Sequence, residues 1–249
     1  MSARLRPDNR WFLYFDTWRA DAYPPLADAV ARDLGRDLYV TLEDAEYDAL
    51  EACARAGFAV HRRESYYRIP TDPVVTGLAG AVLPAGLDVL SAADADITRL
   101  RLLDDALRRD VPGSGGWRWD AGQFRAETFG PFFDRATYLV AVDRASGQYA
   151  GLVRIWRTRA GPRLGLIATL ARYRRRGVAR ALLGLAFAVL AARGDASVVG
   201  EVDDANVASL SLLTGLGARR YGGNMELIRR QPGRSASDRP EEGRPSAGR

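Results

Sequence analysis

Strand-like and helix-like segments alternate through residues 86–230, and this order restricts the fold more than any other feature of the 249-residue sequence. Short apolar runs bounded by turn residues indicate strands, whereas apolar residues repeated every three or four positions indicate helices. The order predicts an α/β fold in which helices flank a mixed central sheet. The predicted elements are strand 87–90, helices 94–109 and 120–129, strands 138–142, 152–156 and 164–170, helix 177–193, strand 198–202, helix 205–216 and strand 225–228.

The N-terminal segment 1–70 repeats the end of this order. Gly57, where a predicted helix ends, can be aligned with Gly217, where the last predicted helix ends. We call the shift between these two glycines the repeat offset. This shift aligns the predicted strand, helix and strand at 38–42, 45–56 and 66–69 with those at 198–202, 205–216 and 225–228, although few residues are identical. We interpret residues 1–70 as a partial and degenerate repeat of the same unit. The elements predicted there are strands 10–15, 38–42 and 66–69 and helices 25–34 and 45–56.

Two stretches have no such pattern. Residues 71–85 carry little charge and contain two glycines and two prolines, which predicts a linker. Residues 231–249 contain no aliphatic side chain larger than alanine and cannot bury enough apolar surface to fold, so we expect a disordered tail. The chain is therefore predicted to consist of a partial repeat at 1–70, a linker, a larger domain at 86–230 and a tail.

The rarest residues exclude several kinds of site. Cys53 is the one cysteine and His61 the one histidine, so the chain has no internal disulfide and cannot place four cysteine or histidine ligands around zinc. Two arginines follow His61 and no serine or cysteine motif accompanies it, which argues against a catalytic triad. We therefore expect no metal. No apolar run reaches the roughly 18 residues of a membrane span, so we also expect a cytoplasmic protein without a membrane partner.

Positive charge is concentrated in one short window. The chain has no lysine, and its net charge of +5 equals the number of arginines between residues 172 and 180. A single basic window indicates a discrete anion site. A surface that binds nucleic acid spreads its basic residues over a face and alternates them with aromatic ones. We therefore expect no nucleic-acid partner.

The basic window ends at a predicted helix start, with the sequence Arg-Arg-Arg-Gly-Val-Ala at 174–179. The first backbone N–H groups of a helix have no partner within the helix and carry the positive end of its dipole, so they bind phosphate well. Gly177 and the small Ala179 let a pyrophosphate approach the backbone. Arginines and a glycine also precede helices that bind nothing, so this pattern alone leaves both interpretations open.

Two motifs in order make the segment similar to a known family. Arg174, Gly177 and Ala179 fit (Gln/Arg)-x-x-Gly-x-(Gly/Ala), and residues 206–218 follow Asn-x-x-(Ala/Ser)-x-x-Leu-Tyr-x-x-x-Gly-Phe in part. The segment 86–230 resembles the GNAT superfamily of N-acetyltransferases, in which the first motif is the acetyl-CoA loop. The matching residues of the second motif are Asn206, Ser209, Leu212 and Gly217, whereas Leu213 and Ala218 replace its tyrosine and phenylalanine.

The resemblance implies transfer of an acetyl group from acetyl-CoA to a primary amine of a small molecule or of a protein N-terminus. Residues 1–70 would then be a partial GNAT-like repeat, and we expect a monomer or homodimer. A plain helix cap is the alternative role of Asn206. The residues implied in cofactor binding are Ile167, Ala168 and Thr169 for the pantetheine arm, Arg174, Arg175, Arg176, Gly177, Val178, Ala179 and Arg180 for the pyrophosphate, and Asn206 and Ser209 beside them.

Glu201 is the candidate general base. An alkylamine is mostly protonated at neutral pH, since its pKa is about 10, and must lose a proton before it attacks a thioester. Glu201 precedes Asn206 by five residues, where the segment resembles ribosomal-protein alanine N-acetyltransferases and where these enzymes carry their base. The alternatives for Glu201 are an exposed strand residue or an ion-pair partner of an arginine. Asp203 is a second candidate base, and its alternative role is that of a loop or turn residue.

Leu213 is the main departure from the family. The tyrosine of the motif protonates the departing thiolate, and Tyr221 and Tyr173 are the candidates to replace it. A thiol has a pKa of about 8.5, so the acid assists the reaction without being essential. A chain that keeps the cofactor loop without this acid also fits a non-catalytic acyl-CoA-binding or regulatory module, which is the alternative function.

Residues 1–70 are not expected to bind a second cofactor. The segment between its first strand and helix has no glycine, and Asp16 and Asp21 stand where phosphate would lie. The expected role of this part is to complete or wall the acceptor cleft. Four aromatic residues of the larger domain either line that cleft or pack in the core: Trp117, Trp119, Phe124 and Phe129.

Overall fold

The computed structural model describes residues 1–16, 19–114 and 117–231, so the predicted tail lies outside the described residues except for Gln231. Each predicted helix and strand is present, and Ser2–Leu5 forms an additional strand that the sequence did not predict. The strands are β1 Ser2–Leu5, β2 Trp11–Tyr14, β3 Leu38–Glu43, β4 Ala59–Pro70, β5 Leu87–Ser91, β6 Tyr138–Asp143, β7 Tyr149–Thr158, β8 Gly161–Thr169, β9 Ser197–Asp203 and β10 Arg219–Arg229. The helices are α1 Tyr23–Leu34, α2 Tyr47–Arg55, α3 Ile97–Arg108, α4 Ala121–Thr128, α5 Val178–Ala192 and α6 Val207–Gly215.

All ten strands form one sheet in the order β1-β2-β3-β10-β4-β9-β8-β7-β6-β5. The pairs β2–β3 and β8–β9 are parallel and the others are antiparallel. The predicted mixed sheet flanked by helices is therefore confirmed. The C-terminal strand β10 is inserted between β3 and β4, so strands from the N-terminal and C-terminal parts of the chain share the middle of the sheet.

The sheet repeats its pairing on the two sides of the β10–β4 pair. Asn224 of β10 lies opposite Glu43 of β3, and Glu64 of β4 lies opposite Asp203 of β9. The repeat offset carries Asn224 to Glu64 and Glu43 to Asp203, so the first pair becomes the second. Every other residue pair of β10–β3 becomes a pair of β4–β9 in the same way. The offset found in the sequence therefore holds in the sheet, and β3 and β4 are the counterparts of β9 and β10.

The turns after the matching helices α2 and α6 are also built alike. Gly57 and Gly217 adopt φ angles of 81° and 72°, in the left-handed region that favours glycine. In both turns the N–H of the residue after the glycine donates to the carbonyl five residues earlier, at 3.0 and 3.1 Å. The helix–turn–strand unit has thus kept its backbone form where its side chains differ.

Three apolar clusters lie between the sheet and the helices. α1 and α2 pack around Cys53, α5 and α6 around Phe187, and α3 and α4 around Phe124. The helices of the first two clusters share one face, because Met225 and Tyr67, which contact those clusters, project from the same face of β10 and β4. We call it the α5 face and its opposite the α3 face. In the described residues, helices cover both faces of the C-terminal half of the sheet and one face of the N-terminal half.

The segment predicted as a linker, 71–85, forms no helix or strand and packs against the C-terminal half. Leu78 is 3% exposed and belongs to the cluster under α5. The hydroxyl of Thr71 donates to the carbonyl of Asp195 at 2.5 Å, and the Arg180 guanidinium donates to the carbonyl of Gly77 at 2.5 Å. The connection is therefore held to the C-terminal half at several points.

No helix in the described ranges has the length and apolar character that crossing a membrane requires.

The Cys53 thiol is expected to react only when the protein unfolds. Its side chain projects from α2 into the core shared with α1 and is fully buried, and burial raises the pKa of the thiol to about 11. Because β3 and β4 are paired with β10 and β9, opening this core should disrupt the whole sheet. With enough thiol reagent at pH 8 that labelling is faster than refolding, the labelling rate should equal the global unfolding rate followed by tryptophan fluorescence.

The denatured protein, which should label at once, is the control for Cys53. Labelling faster than global unfolding would show that the N-terminal half opens on its own. It would contradict the expectation that opening this core disrupts the whole sheet.

Candidate active site

Strands β8 and β9 separate in the middle of the sheet. They pair at Arg163–Val199 and at Leu164–Gly200, and no further pair joins them among the described residues. Beyond these pairs β8 continues along β7, while its other edge has no strand partner within the described ranges. The open edge includes residues 167–169, for which the sequence predicts contact with an extended ligand. Its backbone N–H and C=O groups suit such pairing.

A β-bulge lies at the point of separation. Leu164 and Leu166 of β8 stand opposite adjacent residues of β7, so Gly165 is the extra residue. The bulge turns Leu164 to the α5 face and Leu166 to the α3 face. A Cβ atom at Gly165 would lie 2.6 Å from the ring of Trp156, so only glycine lets this ring cover the bulge.

The loop between β8 and α5 exposes a helix N-terminus. Arg175 and Gly177 have φ angles of 60° and 85°, and α5 begins at Val178. Gly177 provides no side-chain cap, and the helix's backbone hydrogen bonds begin with Ala181, whose N–H donates to the Gly177 carbonyl at 3.0 Å. A Cβ at Gly177 would meet no atom of the described residues within 4 Å. The N-terminus of this 15-residue helix is therefore uncapped and open at Gly177, as an anion site requires.

The arginines of the basic window are not equivalent. Arg174 donates from Nε to the carbonyl of Thr169 at 3.1 Å, and its guanidinium also contacts Asp110. Arg180 is held by the segment 71–85, as described above. Arg172 and Arg176 lie over the ring of Tyr173, at 5.0 and 5.7 Å. Arg174 and Arg180 thus hold the loop in place through their side chains.

Asn206 and Ser209 meet at the start of α6. The Asn206 side-chain oxygen accepts the backbone N–H of Ser209 at 3.1 Å, so Asn206 is the N-cap of this helix. The cap role considered from the sequence is therefore present, and it uses the oxygen of the amide. Contact of Asn206 with a cofactor through its amide nitrogen stays a prediction.

Glu201 lies in a row of side chains across four strands on the α3 face. The row runs from Trp156 of β7 through Arg163 of β8 and Glu201 of β9 to Tyr66 of β4. Arg163 Nη2 lies 2.8 Å from Glu201 Oε2, and its guanidinium carbon lies 5.4 Å from the centre of the Trp156 ring. The ion-pair alternative for Glu201 is thus realised at the point where β9 leaves β8. Its role as base stays a prediction.

Tyr66 brings the partial repeat into this row. It stands directly opposite Glu201 in the antiparallel β4–β9 pair. Its hydroxyl donates to Glu43 at 2.9 Å and accepts from the side-chain amide of Asn224 at 3.0 Å. Burial, together with the Glu43 carboxylate, raises the pKa of Tyr66, so the phenol is protonated at neutral pH. Tyr66, Trp156 and Arg163 were not found from the sequence, because only the strand register brings them beside Glu201.

Among the other residues considered for proton transfer, Asp203 and Tyr173 already have hydrogen-bond partners, whereas Tyr221 is exposed. Asp203 accepts the backbone N–H of Ala205 at 2.8 Å and a hydrogen bond from Arg62 at 3.1 Å, which is the turn role considered from the sequence. Leu213 is 2% exposed in the cluster under α5. Tyr173 is buried and its hydroxyl lies 3.0 Å from Asp143. Tyr221 is 53% exposed beside Tyr66, with ring centres 5.9 Å apart.

The four aromatic residues considered for the cleft mostly pack within the domain. Phe124 is 1% exposed in the α3–α4 cluster, and Phe129 packs edge-on against Phe133. The indole N–H of Trp119 donates to Asp104 at 3.2 Å. Trp117 differs, because Arg6 of the partial repeat lies over its ring at 5.0 Å. Trp117 therefore joins the two halves of the chain.

Charged residues close the α3 face of the N-terminal half. Glu226 is 1% exposed and lies 2.6 Å from Arg10, 3.2 Å from Arg62 and 3.8 Å from Arg6. Asp8, whose side chain is fully buried, lies 2.7 Å from Arg10 and 3.2 Å from Arg6. We call these five residues the buried ion cluster.

The buried ion cluster occupies the counterpart of the row that contains Glu201. The repeat offset relates Glu226 to Tyr66 and Thr41 to Glu201. The partial repeat therefore has a threonine where the larger domain has its candidate base. Ion pairs fill the place where the larger domain has a partly exposed surface.

The sequence model of the acetyltransferase (GNAT) family matches residues 100–218. This segment is therefore a GNAT acetyltransferase domain, and the remaining strands extend its sheet. No curated protein matches the chain.

Solved structures of GNAT proteins share the fold over nearly the whole chain. A GCN5-related N-acetyltransferase from Sphaerobacter thermophilus is 18% identical, with 94% of this chain and 78% of that chain covered and a TM-score of 0.68. A tandem GNAT protein from the clavulanic acid biosynthesis pathway is 15% identical, with 92% and 77% covered and a TM-score of 0.65. A GCN5-related N-acetyltransferase from Kribbella flavida is 15% identical, with 94% and 85% covered and a TM-score of 0.56. The likeness to a tandem GNAT protein agrees with the internal repeat.

Proposed function

We propose that the protein transfers an acetyl group from acetyl-CoA to a primary amine of a small molecule or of a protein N-terminus. The observation that carries this proposal is the separation of β8 from β9 directly before the open N-terminus of α5. An extended acyl carrier with a pyrophosphate fits both features, because one offers a strand edge without a strand partner and the other offers N–H donors and positive charge. Acetyl-CoA would supply an activated thioester.

The residues proposed to hold the cofactor follow from this geometry. The backbone of residues 167–169 would pair with the pantetheine arm, and the backbone N–H groups of residues 177–180 would bind the pyrophosphate. Arg175 and Arg176 are exposed beside that helix start and would add charge-assisted hydrogen bonds, whereas Arg174 and Arg180 brace the loop.

In the proposed mechanism the residues of the α3 face handle the proton. Glu201 would accept a proton from the acceptor ammonium, directly or through one water. Leu213, which replaces the tyrosine of the family motif, is buried in the core and has no acidic proton. The proton for the thiolate would therefore come from solvent or from another side chain. The bulge at Gly165 would aim backbone N–H groups toward the reacting carbonyl, and such preorganised donors stabilise developing negative charge.

The buried Leu213 also supports the second candidate, a non-catalytic acyl-CoA-binding or regulatory module. Release of free thiol from acetyl-CoA in the presence of a panel of primary amines separates the two functions. Amine-dependent release is expected for the enzyme. Binding of acetyl-CoA without release for any amine, at a protein concentration that gives single turnover, would favour the regulatory module.

Gly177→Asp is expected to abolish the stabilisation of the fold by acetyl-CoA. A ligand at 100 times its dissociation constant adds about 2.7 kcal/mol to the free energy of unfolding. For a chain of this size that corresponds to a rise of about 5–11 °C in Tm. The introduced aspartate would place a negative charge against the pyrophosphate, so the rise should disappear in a thermal shift measurement.

Gly177→Asn is the matched control for this experiment. Asparagine has nearly the size of aspartate and tolerates positive φ, and its amide can donate to phosphate. It should keep part of the rise that the aspartate loses. An unchanged rise in the aspartate variant would show that acetyl-CoA binds elsewhere.

A further inference from the structure

The Arg163 guanidinium lies between an aromatic ring and a carboxylate. Its carbon is 5.4 Å from the centre of the Trp156 ring, and Nη2 is 2.8 Å from Oε2 of Glu201. A cation over an indole ring and beside a carboxylate gains both a cation–π and an ionic interaction. An alkylammonium ion is held well by the same two groups.

This position coincides with the proposed reaction centre. Trp156 covers the bulge at Gly165, where β8 leaves β9, and Glu201 is the candidate base at the same point. A ligand seated on Trp156 and Glu201 would therefore lie beside the open edge of β8. Arg154 also lies over the Trp156 ring, at 4.8 Å, but it is 4% exposed and donates to Asp104 at 3.2 Å. Arg163 is the partly exposed cation that contacts both this ring and Glu201 in the described residues.

We infer that the acceptor amine binds as an ammonium ion by taking the place of the Arg163 guanidinium between Trp156 and Glu201. This inference rests on the proposed function and specifies its acceptor site. Arg163 closes the site in the absence of acceptor and moves toward solvent when the acceptor enters. The acceptor then surrenders its proton to the carboxylate that Arg163 has released.

The exchange is feasible because one cation replaces another. The side chains of Arg163 and Glu201 are 35% and 37% exposed, and ion pairs with this degree of exposure are weak. A released arginine recovers its hydration and its side-chain freedom in solvent. The carboxylate keeps a positive partner throughout, so no unpaired charge is left at the site.

The same geometry restricts the acceptor. A carboxylate next to the amine would bring negative charge against Glu201, and like charges at short range repel. The preferred acceptors are therefore alkylamines without an adjacent carboxylate, rather than free α-amino acids. A displaced Arg163 that captured the carboxylate of an amino acid would produce the opposite preference, which the binding experiment below detects.

Steady-state kinetics with n-butylamine test the displacement. Arg163→Gln removes the competing cation and should lower KM for the amine about two- to five-fold, the range of an exposed ion pair. The KM for acetyl-CoA should not change. Arg157→Gln is the matched control. Arg157 is exposed on the same strand as Trp156, but its guanidinium lies 3.0 Å from the Asp195 carboxylate and not at this site. An unchanged or higher KM for the amine in Arg163→Gln would overturn the inference.

A binding measurement separates this inference from the proposed function. The indole N–H signal of Trp156 in an NMR spectrum can be identified by its loss in Trp156→Phe. It should shift on titration of the intact protein with n-butylammonium chloride and shift less with 2-aminobutyrate or with potassium chloride at equal ionic strength. The ammonium shift without any acetyl transfer would refute the enzyme and keep the cation site. Turnover of amines with no such shift, or a larger shift with 2-aminobutyrate, would refute the cation site and keep the enzyme.

Discussion

Replacing Glu226 with glutamine is expected to lower the free energy of unfolding by about 3–5 kcal/mol, the usual cost of removing one partner from a buried ion pair. Glutamine keeps the shape of the side chain but withdraws the charge shared by Arg10, Arg62 and Arg6. Burial alone would lower the pKa of Arg62, and Glu226 is one of the carboxylates that reverse this effect and raise it. Without Glu226, Arg6 and Arg10 share Asp8 alone, and Arg62 keeps Glu64 and Asp203, so the buried positive charge is only partly compensated.

The size of this effect can be checked by chemical and thermal unfolding. Native proteins are stable by about 5–15 kcal/mol, so the loss is a large share of the total. It corresponds to a fall of about 6–20 °C in Tm. Glu51→Gln is the control, because Glu51 and Arg55 form an exposed pair along α2 that is worth less than about 1 kcal/mol. Equal losses in the two variants would mean that the buried ion cluster does not stabilise the sheet.

The internal repeat could be found from the sequence because its signals are local. Helix periodicity, short apolar runs and the glycines that end helices each depend on a few neighbouring residues. The offset set on Gly57 and Gly217 also predicts the register of strand pairs on either side of β10 and β4. Local patterns survived in the partial repeat because both copies must form the same helix–turn–strand unit.

The exchange of strands between the halves could not be read from the same signals. Insertion of β10 between β3 and β4 depends on pairing between residues from opposite ends of the chain, and no local pattern encodes it. The buried ion cluster was missed for the same reason. Asp8, Arg10 and Glu226 look like ordinary surface charges until the chain ends meet in one sheet.

The candidate site was predicted in its backbone parts and missed in its side-chain surroundings. The loop before α5 carries its information in glycine and helix-start residues, which are local. The face on which Glu201 projects depends on the register with β8 and β4, so its neighbours Arg163 and Tyr66 followed only from the fold. The bulge at Gly165 reverses the side-chain alternation of β8, which a simple strand pattern does not reveal.

Glu201→Gln is expected to lower the turnover number about 10²- to 10⁴-fold at neutral pH, the usual contribution of a positioned acid–base group. Glutamine keeps the size of the side chain and one acceptor oxygen but cannot take the proton of the acceptor ammonium. Affinity for acetyl-CoA should stay nearly the same, because the cofactor is proposed to bind along β8 and at the start of α5. Turnover and acetyl-CoA binding should therefore be measured on the same preparations.

The pH dependence separates loss of a base from loss of an ion pair. The defect of Glu201→Gln should shrink as the pH approaches the pKa of the amine, about 10, because the acceptor then arrives deprotonated. Arg163→Gln breaks the same 2.8 Å ion pair but keeps the carboxylate, so a defect caused by the broken pair alone would appear in both variants. Turnover in Glu201→Gln equal to that of the unaltered protein across pH 6–9 would remove Glu201 as the base. The proton would then leave through water or through Asp203, whose carboxylate is bound to Arg62 and to the turn before α6.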